Sequence, residues 1–259
     1  MLKNKVMLIL LDGCRYDTAV EQMGFLGGLV EKNQAQLRKV LAEVPSNSRP
    51  LYETLLTGRS VYEHQIYTNM TVRLSKEVSI FDLVKEQGGV TACAGYYWLS
   101  ELYNHSPYQL MEDRIQHDPT QKIQHGIFYH EDCYPDSHVL ADAQSLIQTF
   151  SPDFLMVHTM NIDDSGHKYT CQSQEYVQAV NRIDGLLAYV IPVWQTLGYN
   201  IIVTADHGMD EQGLHGGMRL AHREVPFFLL NNAPVLPDTL EMSQLEVMPL
   251  ICQLLGVSE

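Results

Sequence analysis

The chain is short of basic residues, of long apolar runs and of paired cysteines, and each shortage closes a class of function. Seventeen Lys and Arg stand against 31 Asp and Glu, a formal net charge of −14 over 259 residues. A phosphate backbone is held by clustered Lys and Arg; no such cluster occurs, so a nucleic-acid polymer surface is not expected. The first apolar run, residues 6–11, stops at Asp12, far short of the roughly 20 residues of a membrane span. The start of the chain lacks a small-residue cleavage site, so neither membrane insertion nor secretion is expected. The cysteines, Cys14, Cys93, Cys133, Cys171 and Cys252, are odd in number and show no metal-binding spacing, which fits a reduced, cytoplasmic protein. Repeats and low-complexity segments are absent too. With 45% hydrophobic residues, the length suits a single α/β domain over residues 1–259.

What is present is a series of short apolar runs that each break off in carboxylates, imidazoles or glycines. Residues 201–205 end in Asp206-His207-Gly208, residues 6–11 in Asp12-Gly13, and residues 153–160 lead into Asn161-Ile162-Asp163-Asp164-Ser165-Gly166-His167. Apolar, β-branched runs bounded by turn residues read as buried strands, and open α/β sheets gather ligands beyond the carboxyl ends of their strands. Carboxylate oxygens beside imidazole nitrogens suit a divalent metal. Asp163 and His167, four residues apart, are placed for one helical turn or compact loop to aim both at one ion. Gly213-Leu214-His215-Gly216-Gly217 adds a further histidine among glycines that permit close backbone approach. A carboxylate after a strand is equally a helix cap, so each signal alone keeps a plainer reading.

Pro50 suits the first turn of a helix that stops at Gly58. Ser48 then lies at or beside the helix N-terminus, where unpaired N–H groups and the dipole favour an alkoxide or a phosphate; Ser48 or Ser46 as a simple N-cap fits the same pattern. Arg49 beside it offers a cation to the site, a solvent-facing charge or a partner for a carboxylate. Helices are expected over residues 76–88, 136–149 and 173–197 and at the C-terminus through Leu245 and Leu255, with strands over 90–96 and 225–230. Residues 97–135 lose this regularity and are rich in Tyr, His, Asp and Gln, including Trp98, Tyr103, Tyr108, His117, His125, Tyr129 and His130. Such a segment reads as a small irregular insertion or cap on the substrate side, its aromatics stacked on a flat group or packed on the sheet.

Taken in order, Asp12-Gly13, Ser48 in Asn47-Ser48-Arg49-Pro50, Asp163-x-x-x-His167, Asp206-His207-Gly208 and His215-Gly216 resemble the alkaline phosphatase superfamily, most closely its type I phosphodiesterase/nucleotide pyrophosphatase family. The resemblance runs from about residue 5 to 231 and is weakest over 97–135. It implies a three-layer α/β/α sandwich around a mostly parallel sheet. It also implies one divalent ion on Asp163, His167 and His215 and a second on Asp12, Asp206 and His207, with Ser48 as nucleophile and ligand where many members have threonine. Mixed Asp/His ligation suits Zn²⁺, with Mn²⁺ or Fe acceptable. Asp164 rivals Asp163 and His222 rivals His215; motif spacing favours Asp163 and His215.

Residues 58–70 resemble the family's segment after the nucleophile helix, which makes Asn69 the donor to a phosphoryl oxygen. A neutral donor suits a diester better than the more charged monoester. Sulfatases resemble the chain in fold and metal logic, but their modified residue is followed by proline two residues on and arginine four on; Pro50 fits and Tyr52 does not. His64, His105, His138 and His158 read as surface or core residues. The implied activity is two-metal hydrolysis of a small phosphate ester through a phospho-serine-type intermediate. The alternatives are a phosphomonoesterase or phosphonate hydrolase with the same site, and a metal-binding module without catalysis.

Overall fold

Nine strands make one sheet in a computed structural model that describes Leu2, residues 4–230, Leu236 and residues 241–258. The ends of the one-domain expectation, Met1 and Glu259, and the end of the resemblance at Asn231 lie outside the described residues. The strands are β1 (Lys5–Leu11), β2 (Ala35–Leu41), β3 (Thr91–Tyr96), β4 (Ile115–His117), β5 (His125–Tyr129), β6 (Phe154–Thr159), β7 (Tyr199–Thr204), β8 (Glu224–Leu230) and β9 (Glu241–Ser243). Their order is β4-β5-β3-β6-β1-β7-β8-β2-β9. β8 runs antiparallel to both β7 and β2, and β4 antiparallel to β5; the other pairings are parallel.

The central strands are continuous apolar runs because helices cover both faces of the sheet, leaving no solvent side for polar residues to alternate onto. Residues 6–11, 154–157 and 201–203 are fully buried. The helices Tyr16–Gln22, Gly24–Glu31 and Asp136–Phe150 contact the long helix Gln174–Thr196, and Ser48–Thr57, Ile80–Glu86 and Val247–Leu255 contact one another. These two helical groups and the sheet are the three layers of an α/β/α sandwich. No described helix is long and apolar enough to cross a membrane.

The structure departs from the expected elements in three places. The helix expected over 76–88 is Ile80–Glu86, started by a capping box in which the Asp82 carboxylate accepts from the Ser79 N–H at 2.8 Å. Residues 97–135 hold the helices Trp98–Tyr103 and Leu110–Asp113 and two strands, of which β5 extends the sheet in parallel beside β3. β2 carries Gln36, Arg38 and Lys39 within its run and is half-buried through most of its length, so it lacks the apolar signature of the central strands.

What matters for the site is the neighbouring trio β6–β1–β7. Leu11 pairs with Thr159, and Leu10 with Thr204, so the three carboxyl ends lie level at one edge. The Asp12 N–H then donates to the Thr159 carbonyl at 3.0 Å. Three chain segments far apart in sequence are delivered side by side.

Candidate active site

Two clusters of side chains stand at that edge. Asp163, His167 and His215 form one group of converging ligand atoms, and Asp12, Asp206 and His207 form another. Asp12 follows β1, Asp206 and His207 follow β7, and Asp163 and His167 sit one turn apart on the helix Asn161–Tyr169 beyond β6. The groups adjoin: the His207 and His215 rings stack at 3.8 Å between centroids. Close approach is built into the backbone. Gly13 has φ +71°, and a Cβ there would lie 2.8 Å from Asp163 Oδ1; a Cβ on Gly208 would lie 2.2 Å from the Ala221 carbonyl oxygen.

Each histidine is fixed by the same device. His167 Nδ1 lies 2.8 Å from the Gly213 carbonyl, His207 Nδ1 2.9 Å from the Gly208 carbonyl and His215 Nδ1 2.9 Å from the Ser46 carbonyl. A carbonyl only accepts, so Nδ1 carries a proton, and in the neutral imidazole the Nε2 lone pair faces the site, the arrangement of a metal-ligating imidazole. The Nε2 atoms of His167 and His215 are 3.2 Å apart, a repulsion between lone pairs unless a cation or a proton lies between them.

The carboxylates complete the argument. Among the described residues, five buried side-chain polar atoms have no hydrogen-bond partner, and three of them are Asp12 Oδ1, Asp163 Oδ1 and Asp206 Oδ2. Those same oxygens face the imidazoles: Asp12 Oδ1 and Asp206 Oδ2 lie 3.4 Å from His207 Nε2, and Asp163 Oδ1 lies 3.9 Å from His215 Nε2. An unpaired buried carboxylate oxygen is costly, and three of them aimed at lone pairs describe a place made for cations. The donor set fits two divalent ions.

The charges respond accordingly. Burial, and then the neighbouring charges of Asp12 and Asp163, push the Asp206 carboxyl well above the usual range, and burial followed by the Asp12 charge raises Asp163. Asp12 goes the other way: burial pulls it upward, but the His158 hydrogen bond and the charges of His207 and His158 carry it down to about 2. The hydrogen bond with Asp163 holds His167 protonated up to about 9. Burial, reinforced by His207, pushes His215 down to about 4. Protons thus occupy part of a site whose groups would all be deprotonated around divalent ions.

Ser48 opens the helix Ser48–Thr57, whose N-cap is Asn47 with no side-chain cap bond. The serine is therefore not the cap, and neither is Ser46, whose Oγ donates to the Gly217 carbonyl and accepts from the Gly216 N–H, tying the helix approach to the His215 loop. Ser48 Oγ lies 3.1 Å from His207 Nε2 at the positive end of the helix. Asn69 Oδ1 accepts from the Arg49 backbone N–H at 3.0 Å, which fixes the amide orientation and leaves its NH₂ as a donor. Ser48, Asn69, Asp163, His167 and His215 line one pocket of about 140 Å³ together with Tyr96, Trp98, Asp132 and Met160.

The open alternatives resolve on distances. Arg49 is buried, with Nη2 2.7 Å from Glu101 Oε2, Nη1 donating to the Thr71 carbonyl at 2.9 Å, and the guanidinium 4.7 Å over the Trp98 ring; of the three readings, pairing with a carboxylate holds. Asp164 pairs with Lys168 at 2.8 Å, and His222 with Asp210 at 3.0 Å, so neither joins the ligand groups. Of the aromatics in 97–135, Trp98 reaches the pocket wall, while His130 stacks on both Tyr97 and Tyr108. Sequence reasoning missed Tyr52 and His158, both buried, which bond Asp12 Oδ2 from two sides. Their only sequence signal is position: Tyr52 is one helical turn beyond Ser48, and His158 is paired with Leu10 in the sheet.

The sequence pattern described as type I phosphodiesterase / nucleotide pyrophosphatase matches residues 6–220. The chain belongs to that family. As a family member it is an enzyme of the phosphoester hydrolase or transferase type. Its sequence is 22% identical over 244 residues to the catalytic subunit of human GPI ethanolamine phosphate transferase 2, covering 90% of this chain and 24% of that protein's length. In structure it is similar to murine ectonucleotide pyrophosphatase / phosphodiesterase 5, solved as an inactive variant with AMP, at TM-score 0.76 and 13% identity over 99% of this chain and 96% of that one. Phosphonoacetate hydrolase from Sinorhizobium meliloti 1021, solved with phosphonoformate, gives TM-score 0.59 and 21% identity over 80% and 57% of the two chains. These likenesses show the shared fold.

Proposed function

We propose that the chain is a two-metal-dependent phosphodiesterase of the nucleotide pyrophosphatase type that uses Ser48 as its nucleophile. The carrying observation is the set of three unpaired carboxylate oxygens facing imidazole lone pairs, with Ser48 Oγ 3.1 Å from His207 Nε2. Asp163, His167 and His215 would hold one ion; Asp12, Asp206 and His207, with Ser48, the other. Divalent ions supply Lewis acidity and a lowered hydroxyl pKa when bound, and Zn²⁺ suits the mixed Asp/His ligands best, with Mn²⁺ or Fe acceptable. The Ser48 oxygen attacks phosphorus in line, the P–O bond to the leaving group breaks, and a phospho-serine ester results that water then hydrolyses. The Asn69 NH₂ and the helix N-terminus stabilise the phosphoryl oxygens.

A diester is favoured because the guanidinium of the residue adjoining Ser48, Arg49, is paired with Glu101, leaving Asn69 as a neutral donor for a singly charged phosphate. The test is hydrolysis of bis-p-nitrophenyl phosphate against p-nitrophenyl phosphate with Zn²⁺ or Mn²⁺. Wild type should prefer the diester and Ser48→Ala should lose at least roughly 10³-fold. Monoester preference would overturn the substrate class, and full activity in Ser48→Ala the nucleophile. A second reading, transfer of a phosphoethanolamine-type group to an alcohol, is supported by the similarity over 90% of this chain to an ethanolamine phosphate transferase. In it an acceptor hydroxyl replaces water in the second step, and product analysis with added alcohols separates the two. A cytoplasmic location belongs to the same proposal, supported by five cysteines without a disulfide; cell fractionation tests it.

A further inference from the structure

The Asp12 carboxylate is held asymmetrically. Its Oδ2 accepts from the Tyr52 hydroxyl and lies 3.0 Å from His158 Nε2, while Oδ1 has no partner and faces His207. His158 is itself fixed: Nδ1 is 3.0 Å from the Tyr129 hydroxyl, which also lies 3.1 Å from the His158 carbonyl. Tyr52 meets the His158 ring edge-on at 4.8 Å. All three partners are buried and come from different elements: Tyr52 from the nucleophile helix, His158 from β6, Tyr129 from β5.

We propose that His158 and Tyr52 are positioning residues for the second ion: they saturate Asp12 Oδ2, fix the carboxylate plane, and so present Oδ1 alone to the cation. A free carboxylate in a cleft rotates between one-oxygen and two-oxygen coordination. With two donors on Oδ2 that rotation stops, because turning Oδ2 inward breaks two buried hydrogen bonds at once. Tyr52 adds a mechanical link, since it lies one turn along the helix from Ser48 and bonds a ligand of the ion that Ser48 would meet. His158 holds the same carboxylate from the sheet side. Nucleophile and ligand are thereby kept in one register, as partners behind the coordinating residues do in metal sites. Among the described residues the Asp163 carboxylate has no such support: its nearest side-chain groups are His167 Nε2 at 3.3 Å and His215 Nε2 at 3.9 Å, both members of its own ligand group.

This inference rests on the two-ion reading, and the experiment separates the two. Zn²⁺ stoichiometry and affinity are measured on the purified full chain by competition with a chromophoric chelator, for wild type, His158→Phe, His158→Gln and Tyr52→Phe. Phenylalanine keeps an aromatic ring in both cases; Tyr52→Phe removes only the donor, while His158→Phe also removes the Nδ1 contact to the Tyr129 hydroxyl, which keeps the carbonyl of residue 158 as acceptor. The expected result is two ions in wild type, with one site weakened about 10- to 100-fold in each Phe variant and the other unchanged. His158→Gln, which restores an N–H at similar reach, should recover part of the loss. Two ions bound equally tightly in Tyr52→Phe and in whichever His158 variant folds would overturn the positioning role. Equal weakening of both sites would overturn it too, marking a general packing defect. Wild type binding no ion would instead overturn the two-ion reading. Tyr52→Phe, the smallest change, decides the matter if thermal melting shows His158→Phe unfolded.

Discussion

Replacing Asp136 with asparagine should stabilise the protein above neutral pH and do little in mild acid. Asp136 opens the helix Asp136–Phe150, and its Oδ1 accepts from the Asn161 N–H at 3.3 Å while its own N–H donates to Asn161 Oδ1 at 3.1 Å. Asn161 begins the helix that carries Asp163 and His167, so this reciprocal pair anchors the ligand-bearing turn. Burial pushes the Asp136 carboxyl up to about 7, against the partial relief of the Asn161 N–H and of Arg182. A carboxyl raised in the folded state contributes stability that is fully present below the unfolded value and lost as pH rises through the folded value. The interval from an ordinary aspartate value near 3.8 to about 7 corresponds to roughly 4 kcal/mol at most. One amide oxygen does not replace both carboxylate oxygens, so a constant loss of about 1–2 kcal/mol is set against that gain. The pH slope survives the subtraction. Urea unfolding of wild type and Asp136→Asn at pH 5 and pH 8 should show the variant gaining about 2–3 kcal/mol relative to wild type across that interval. A difference that stays constant with pH would refute a buried, high-pKa carboxyl at this position.

Three further expectations test the site itself. Gly13→Ala should destabilise the fold by more than about 2 kcal/mol and lower metal content, because φ is +71° and the new Cβ would meet Asp163 Oδ1 at 2.8 Å; an unchanged urea midpoint and full Zn²⁺ loading would refute the close approach. Metal uptake at pH 8 should release protons, since His167 is held protonated up to about 9 by Asp163 and a ligating imidazole must be neutral. Affinity should therefore rise with pH up to about 9, and calorimetry in buffers of different ionisation enthalpy should show a buffer-dependent heat; heats independent of buffer count against it. Glu101→Ala should cost about 3–5 kcal/mol in chemical denaturation, because it leaves the buried Arg49 guanidinium without its carboxylate, and a loss below about 1 kcal/mol would show that Arg49 finds another partner.

How much of this was legible in the chain depends on which forces leave a sequence-local trace. β1, β6 and β7 are visible because strands buried on both faces must be apolar throughout, and Gly58 is visible as a helix stop because it takes φ +66° at the C-cap. β2 is not visible: Arg38 and Lys39 break its apolar run, and its pairing with β8 joins residue 35 to residue 230. The same holds for β4 and β5, whose hydrogen bonds come from a neighbouring strand and not from local periodicity. A strand in the outer parts of a sheet is defined by its partners more than by its own composition.

The site divides along the same line. Asp12, Asp163, His167, Asp206, His207 and His215 announce themselves because ligand types follow strand ends at motif spacing, and the β6–β1–β7 adjacency then brings them together. Arg49 could not be placed from its neighbours, since its fate depends on Glu101, 52 residues away. That long-range pair decides where the guanidinium charge goes. A guanidinium already bound to a buried carboxylate and stacked over Trp98 adds little net positive charge where a phosphate would sit. Its backbone N–H meanwhile orients Asn69 as a neutral donor. One residue next to Ser48 thus keeps its charge paired and fixes the Asn69 amide, and both effects suit the singly charged phosphodiester of the proposed function.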